Sequence, residues 1–461
     1  MSGEGMGGDG VSGDSMSGGG AGGNDAGAGG ALRIAGGRAW LPAPVNAHDH
    51  GYGIRTLDFG CPDDALEPWA AALRLRPRVD PELEARIAFG RVALSGCAGT
   101  MHCHNSLNAD RLVDEAAAVV RAARATGIRL GLSCPLLDAS PFVYGGMARA
   151  AEALPPEDAA WLAQRAPRYA PVPEQIAAVA EIARQHRSDM IDVQLGPIGP
   201  QWCSDALLEA IAEASARLGL RVHMHLLESP RQRAWLDGRF PGGVVQRLAA
   251  IGLLSPRLAV AHGVQLTEGE AEVLAGHGVI LVSNPSANLR LRSGILPRAV
   301  TRRMRWAVGL DGTGFDDEQD IWAELRLFAL LHAGRGLAPE VSPAEVLDAA
   351  CRTGAAVVGC GGPEDVVAVD WAALTADALL PDDVPEARLL ARMSRAHVRD
   401  LEVAGEPVVR EGRLAGFDFD AARSELVAQA RADAGRLAAA RPEARRIAAL
   451  VRQVYAGPGA T

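Results

Sequence analysis

From residue 32 onward, short apolar runs alternate with longer stretches in which apolar residues recur every three or four positions. The short runs fall near 44–47 (PVNA), 98–102 (AGTMH), 128–134 (IRLGLSC), 190–196 (MIDVQLG), 220–225 (LRVHMH), 258–262 (LAVAH), 278–283 (GVILVS) and 306–311 (WAVGLD). Their length and continuous hydrophobicity predict buried strands. The segments between them, such as 110–126, 173–187, 204–218, 243–253 and 317–333, have the spacing of amphipathic helices. Boundary residues agree with this: Ser204-Asp205 can cap the helix before the fifth strand and Gly219 can end it. Eight strands, most followed by a helix, predict an α/β fold, a (β/α)8 barrel.

The pattern divides the chain as follows. Residues 1–31 are Gly, Ser and Asp with almost no large apolar side chain, and are expected to form a disordered tail. Residues 32–43 supply a short strand segment, 44–363 the barrel, 364–416 further short strands, and 417–461 C-terminal helices. The third of these stretches contains VVAVD and a hairpin-like EVAGEPVVREGRLAG. Two connections, 51–80 and 135–172, are long. Loops after barrel strands lie on the catalytic face, so both are candidate substrate covers.

Composition narrows the function. No run of about 18 apolar residues exists, so no membrane span is expected. The formal net charge is −10 with scattered arginines, which argues against a nucleic-acid surface. All 46 basic residues are Arg, and none is Lys. That excludes Schiff-base catalysis, a P-loop lysine and a metal pair bridged by a carbamylated lysine. The 7 cysteines form no CxxC pair and read as reduced thiols of a cytoplasmic protein. No apolar stretch of about 7–15 residues in the tail suits a signal peptide.

The chemistry concentrates at strand ends. His48 and His50 end the first strand, His225 the fifth, His262 the sixth and Asp311 the eighth. One such residue alone is commonly a polar group satisfied at the surface. Five at the ends of four strands that open on one mouth point to a metal site, because imidazoles with a carboxylate suit Zn2+. His48 and His50, two apart on a strand, face the same side. His223 lies one layer deeper than His225 and reads as packing. His102 and His104 (HCHN, 102–105), Gln194 and Trp202 are expected on the mouth side as substrate contacts.

The stretches VNAHDHG (45–51), VHMHLLES (222–229), VAHGVQL (260–266), NPSANLRLRSG (284–294) and GLDGTGFDDEQDIWAELRLFALLH (309–332) resemble the amidohydrolase superfamily. The similarity is to the branch of cytosine, guanine and S-adenosylhomocysteine deaminases and triazine hydrolases. The resemblance covers about residues 40–415 and implies a distorted TIM barrel with a small β-sandwich built from the chain ends. That sandwich should be reduced, because few residues precede His48. The resemblance also implies one divalent metal, Zn2+ first and Fe2+ or Mn2+ as alternatives, held by His48, His50, His225 and Asp311. Glu228 would be the proton shuttle, His262 the catalytic histidine and Asp311 also a proton acceptor. Asn288 would contact substrate, although Ala287-Asn288 stands where relatives carry Ser-Asn.

The function implied is a metal-dependent hydrolase that deaminates a small aminated heterocycle of purine, pyrimidine, pterin or triazine type. A hydroxide generated at the metal would attack and ammonia would leave. The alternatives are a cyclic amide hydrolase, a hydrolase releasing an alkylamine or halide, and a metal-binding barrel without turnover. The expected partners are a small-molecule substrate and a second copy of the chain in a homodimer or larger assembly, with neither nucleic acid nor membrane.

Overall fold

The computed structural model describes residues 32–106, 111–140, 142–312, 318–380 and 383–456. The N-terminal tail lies outside the described residues, as do residues 313–317 of the last motif. The strands are β1 (Arg33–Ala35), β2 (Arg38–Pro42), β3 (Val45–Asp49), β4 (Gly99–Cys103), β5 (Arg129–Leu136), β6 (Ile191–Pro197) and β7 (Val222–Leu226). They continue with β8 (Leu258–His262), β9 (Ile280–Ser283), β10 (Arg305–Val308), β11 (Val366–Asp370), β12 (Val398–Val403), β13 (Glu406–Arg410) and β14 (Arg413–Leu414).

Strands β3 to β10 pair in sequence order, all parallel, with helices between most of them. This is a (β/α)8 barrel, and each of its strands overlaps a run picked out by hydrophobicity. The seam between β10 and β3 is closed just beyond the strands. The Asp311 N–H donates to the His48 carbonyl at 2.9 Å, and the Leu310 N–H donates to Asn46 Oδ1 at 2.9 Å. A Cβ on Gly309 would lie 2.6 Å from the His48 nitrogen, so only glycine lets the chain pass there. The β6–β7 junction pairs at one position only, Leu195 with Val222, and distorts the barrel.

Inside the barrel Val45, Ala47, Met101, Ala259, Ile280, Val282 and Ala307 form one apolar cluster with Val357 and Val358. The last two belong to the helix Gly354–Val358, which plugs the end where the strands begin. Outward-facing strand residues such as Leu130, Leu132 and Val193 join the larger core under the helices. The predicted cap is present: Ser204 Oγ accepts from the Leu207 N–H, and Gly219 takes φ 64° at the end of the helix Asp205–Leu218.

The chain ends build one antiparallel sheet, in the order β1-β2-β11-β12-β13-β14. Arg129, at the start of β5, joins it to the barrel. Its guanidinium donates to both carboxylate oxygens of Asp365, at 2.6 and 2.9 Å, and to Glu364 at 2.8 Å. The two long connections meet above the mouth. Ala71, Phe142, Tyr144 and Leu162 pack there with Trp202 and with Ile447, Val451 and Tyr455 of the C-terminal helix Ala434–Ala456. Among the described residues no helix is long and apolar enough to cross a membrane.

Candidate active site

A bulge in β3 aims the first histidines. Asn46 pairs with Thr100 and Asp49 with His102, so Ala47 and His48 together oppose Met101. The extra residue turns the strand end inward. Asp49, thereby buried, accepts hydrogen bonds from Asn46 Nδ2, the Gly51 N–H and Gln319 Nε2, each at 2.6 Å. Burial raises its carboxyl to about 6 against the pull of those donors.

Three other strand ends complete the cluster. His225 leaves β7 on the inward face, His262 ends β8, and Asp311 follows β10. His262 (φ 72°) and Asp311 (φ 58°) both adopt the left-handed backbone region. For residues with a Cβ this costs on the order of 1–3 kcal/mol each, the kind of strain that functional sites retain.

The candidate ligand atoms converge. Asp311 Oδ1 lies 3.1 Å from His48 Nε2 and 3.1 Å from His50 Nε2, and His225 Nε2 lies 3.3 Å from His50 Nε2. Four donors at zinc distances of about 2.0–2.1 Å, arranged tetrahedrally, stand about 3.3 Å apart. These three separations match the spacing of donors around one cation. The donor atoms of His48, His225, His262 and Asp311 all fall within 4.8 Å of one another. His48 Nε2, His262 Nε2 and Asp311 Oδ1 are buried with no protein hydrogen-bond partner, as expected of groups that face an ion or a reactant.

The distal ring nitrogens are anchored. His50 Nδ1 lies 3.2 Å from the Cys103 carbonyl and 3.2 Å from the Asn105 amide. His225 Nδ1 donates to the Ile198 carbonyl at 2.7 Å. His262 Nδ1 donates to Asn288 Oδ1 at 2.8 Å. These bonds hold the rings so that Nε2 points to the centre.

Burial sets the charges. It lowers His48 to about 4 and His225 and His262 below the usual imidazole range, which favours neutral rings, the form that can coordinate a cation or accept a hydrogen bond. Burial opposes ionisation of Asp311, but the adjacent imidazoles of His48 and His50 outweigh it and hold the carboxyl well below its ordinary range. Burial, reinforced by the charges of Asp311 and Glu67, raises Glu228 well above the carboxylate range. Two carboxyls of one cluster are thus driven in opposite directions, Asp311 toward the ionised form and Glu228 toward the protonated one. Glu228 Oε1 sits 3.9 Å from His262 Nδ1, and its backbone is pinned by Gln232, whose Oε1 accepts from the Glu228 N–H at 2.8 Å.

The structure thus gathers His48, His50, His225, Glu228, His262 and Asp311. It places the other expected contacts elsewhere. Met101 and Cys103 take the inner face of β4, so alternation turns His102 outward, edge-on to Phe89. His104 follows it, with Nδ1 3.2 Å from His102 Nε2 and Nε2 3.0 Å from Glu115. Gln194 points inward but deep in the barrel, donating to the carbonyls of Val357 and Val358 in the plug at 3.0 and 3.2 Å. Trp202 packs edge-on against Tyr144 within the cover. Asn288 holds His262.

Glu67 escaped the sequence reading. It is buried in the cover, accepting from Ser229 Oγ at 2.5 Å, Tyr144 Oη at 3.1 Å and Arg231 at 3.3 Å. It ties both long connections to the residue beside Glu228. Its signal would have been an acid within an otherwise apolar helix start, ALEPWAAAL, which is weak.

Comparisons with known proteins place this arrangement. The chain is 28% identical over 402 residues to a 5-methylthioadenosine/S-adenosylhomocysteine deaminase of Syntrophobacter fumaroxidans, covering 84% of this chain and 83% of that protein. It is 32% identical over 236 residues to the deaminase of the same description from Nitratidesulfovibrio vulgaris, covering 48% of this chain and 52% of that one. The chain thus spans about half the length of several of its curated relatives. Among solved structures, an adenosine deaminase from Xanthomonas campestris with bound zinc superposes with a TM-score of 0.69 and 25% identity, over 87% of this chain and 86% of that one. The profile of the amidohydrolase family matches residues 40–370, the barrel and its first flanking strands, and the chain belongs to the amidohydrolase family.

Proposed function

We propose that the protein is a zinc-dependent aminohydrolase that deaminates an adenosine-type purine, converting a ring C–NH2 and water into C=O and ammonia. The observation that carries this is the convergence of His48, His50, His225 and Asp311 at one cation-sized centre with the buried Glu228 carboxyl beside His262. The residues His48, His50, His225 and Asp311 would hold the ion. A divalent cation supplies the charge that lowers the pKa of an adjacent water from 15.7 to about 7.

The chain's own groups do the rest. Asp311, ionised, accepts a proton from the attacking water. His262 carries its hydrogen on Nδ1, fixed by Asn288, so its bare Nε2 accepts a hydrogen bond from that water and orients it. Glu228 gives its proton to the ring nitrogen beside the attacked carbon and then relays one to the departing amine, help worth about 10²–10⁴-fold. The cover, clasped by Glu67, excludes bulk water and strengthens these interactions.

Adenosine-type substrates are favoured because the relatives named above are deaminases of such nucleosides. Zinc is supported by the imidazole-rich donor set. All seven cysteines are free, which supports a reducing compartment, the cytoplasm. The chain is also proposed to assemble as a homodimer or larger, which sedimentation would measure.

The test is ammonia release by zinc-replete protein from 5-methylthioadenosine, S-adenosylhomocysteine, 5′-deoxyadenosine and adenosine, with guanine, cytosine and an aminotriazine as controls. Release from the adenosine set supports the proposal. Release from the controls alone, or from none, overturns it.

A further inference from the structure

We propose that His223 is a positioning residue: its Nε2 accepts the Nδ1 hydrogen of His48 and so fixes the tautomer that lets His48 hold the cation. The inference rests on the cation centre of the proposed function, not on its substrate.

His48 differs from its neighbours. The distal nitrogens of His50, His225 and His262 each meet an oxygen that only accepts, from Cys103, Ile198 and Asn288. For His225 and His262 this fixes the hydrogen on Nδ1 and leaves Nε2 bare, while His50 Nδ1 also has the Asn105 amide at 3.2 Å. His48 Nδ1 instead meets another imidazole, His223 Nε2, at 2.8 Å. The ring planes differ by 21° and the centroids are 5.1 Å apart, so the rings meet end to end along the hydrogen bond.

An imidazole pair can share its hydrogen in either direction, and the geometry alone is symmetric. The chemistry of the centre is not. Only with the hydrogen on His48 Nδ1 is His48 Nε2 free to bind a cation. His223 must then be bare at Nε2.

The strand supplies the placement. In VHMH, His223 and His225 share the inward face of β7, one turn of the pleat apart, so the second binds the ion while the first reaches the back of His48. The other atom near His48 Nδ1 is Cys103 Sγ at 3.4 Å, a weak acceptor.

The experiment compares wild type, His223→Phe, which keeps a ring without an acceptor, and His223→Gln, whose Oε1 can replace Nε2. Zn2+ affinity is measured by competition with a chromophoric chelator, and folding by thermal melts of the metal-free proteins. The expected result is a 10–100-fold loss of affinity for Phe and recovery to within about threefold of wild type for Gln. Unchanged affinity in the Phe variant overturns the proposal, as does an equal loss in Gln with unchanged melts. Should Phe fail to fold, 15N NMR of histidine-labelled, zinc-loaded wild type decides. Protonated His48 Nδ1 opposite unprotonated His223 Nε2 supports the role, and the reverse overturns it. Neither readout involves deamination, so failure here leaves the substrate proposal standing and failure of the ammonia screen leaves this one standing.

Discussion

Replacing Glu228 with glutamine removes one proton from the site and almost nothing else. The side chain is 2% exposed, its backbone N–H is held by Gln232, and burial keeps its carboxyl protonated well above the usual range. An amide of the same shape adds no buried charge, so stability should change by less than about 1 kcal/mol. The proton donor, however, is gone. A general acid contributes about 10²–10⁴-fold, which at 1.36 kcal/mol per decade is about 2.7–5.4 kcal/mol of transition-state stabilisation. Steady-state ammonia release should therefore show kcat reduced 10²–10⁴-fold with KM within a few-fold, at unchanged zinc content. Wild type should lose activity as pH rises through the raised Glu228 pKa, because the protonated form is the active one. A Glu228→Gln variant within tenfold of wild-type kcat would refute the assignment.

The anchoring of His262 predicts that Asn288→Ala lowers kcat/KM about 10–100-fold, checked by the same assay with circular dichroism to confirm folding. Neutral imidazoles predict that zinc affinity falls with pH: protons compete for His50, whose pKa lies above the ordinary value because Asp311 outweighs burial, and at lower pH for His48, near 4. Equilibrium dialysis across pH 5–8 would show the decline. Asp365→Ala leaves Arg129 buried without its bidentate partner, and should cost about 3–5 kcal/mol in urea unfolding while kcat is unchanged.

The strand ends made much of the site legible. His48, His50, His225, His262 and Asp311 stood out because a parallel barrel sends the ends of all its strands to one mouth, whatever the spacing between them in the chain. Glu228 came through the resemblance of VHMHLLES to the amidohydrolase pattern. What the pattern could not give was which face, and what depth, each polar residue takes. His102 sits on the right strand but on its outer face, because Met101 and Cys103 fill the barrel, and His104 just beyond the strand packs against it. Gln194 has the right face but lies near the plug, whose residues 354–358 carried no sequence signal as a barrel base. The bulge that turns His48 inward, the pairing of His48 with His223 and the Glu67 clasp depend on register and on contacts between distant segments. Periodicity does not encode these.

Zinc K-edge X-ray absorption on stoichiometrically loaded protein tests the central claim most directly. The account predicts one ion per chain, bound only by nitrogen and oxygen at about 2.0–2.1 Å with the outer-shell scattering of about three imidazoles. A sulfur ligand from Cys103 at about 2.3 Å, or a shell without imidazole, would contradict it.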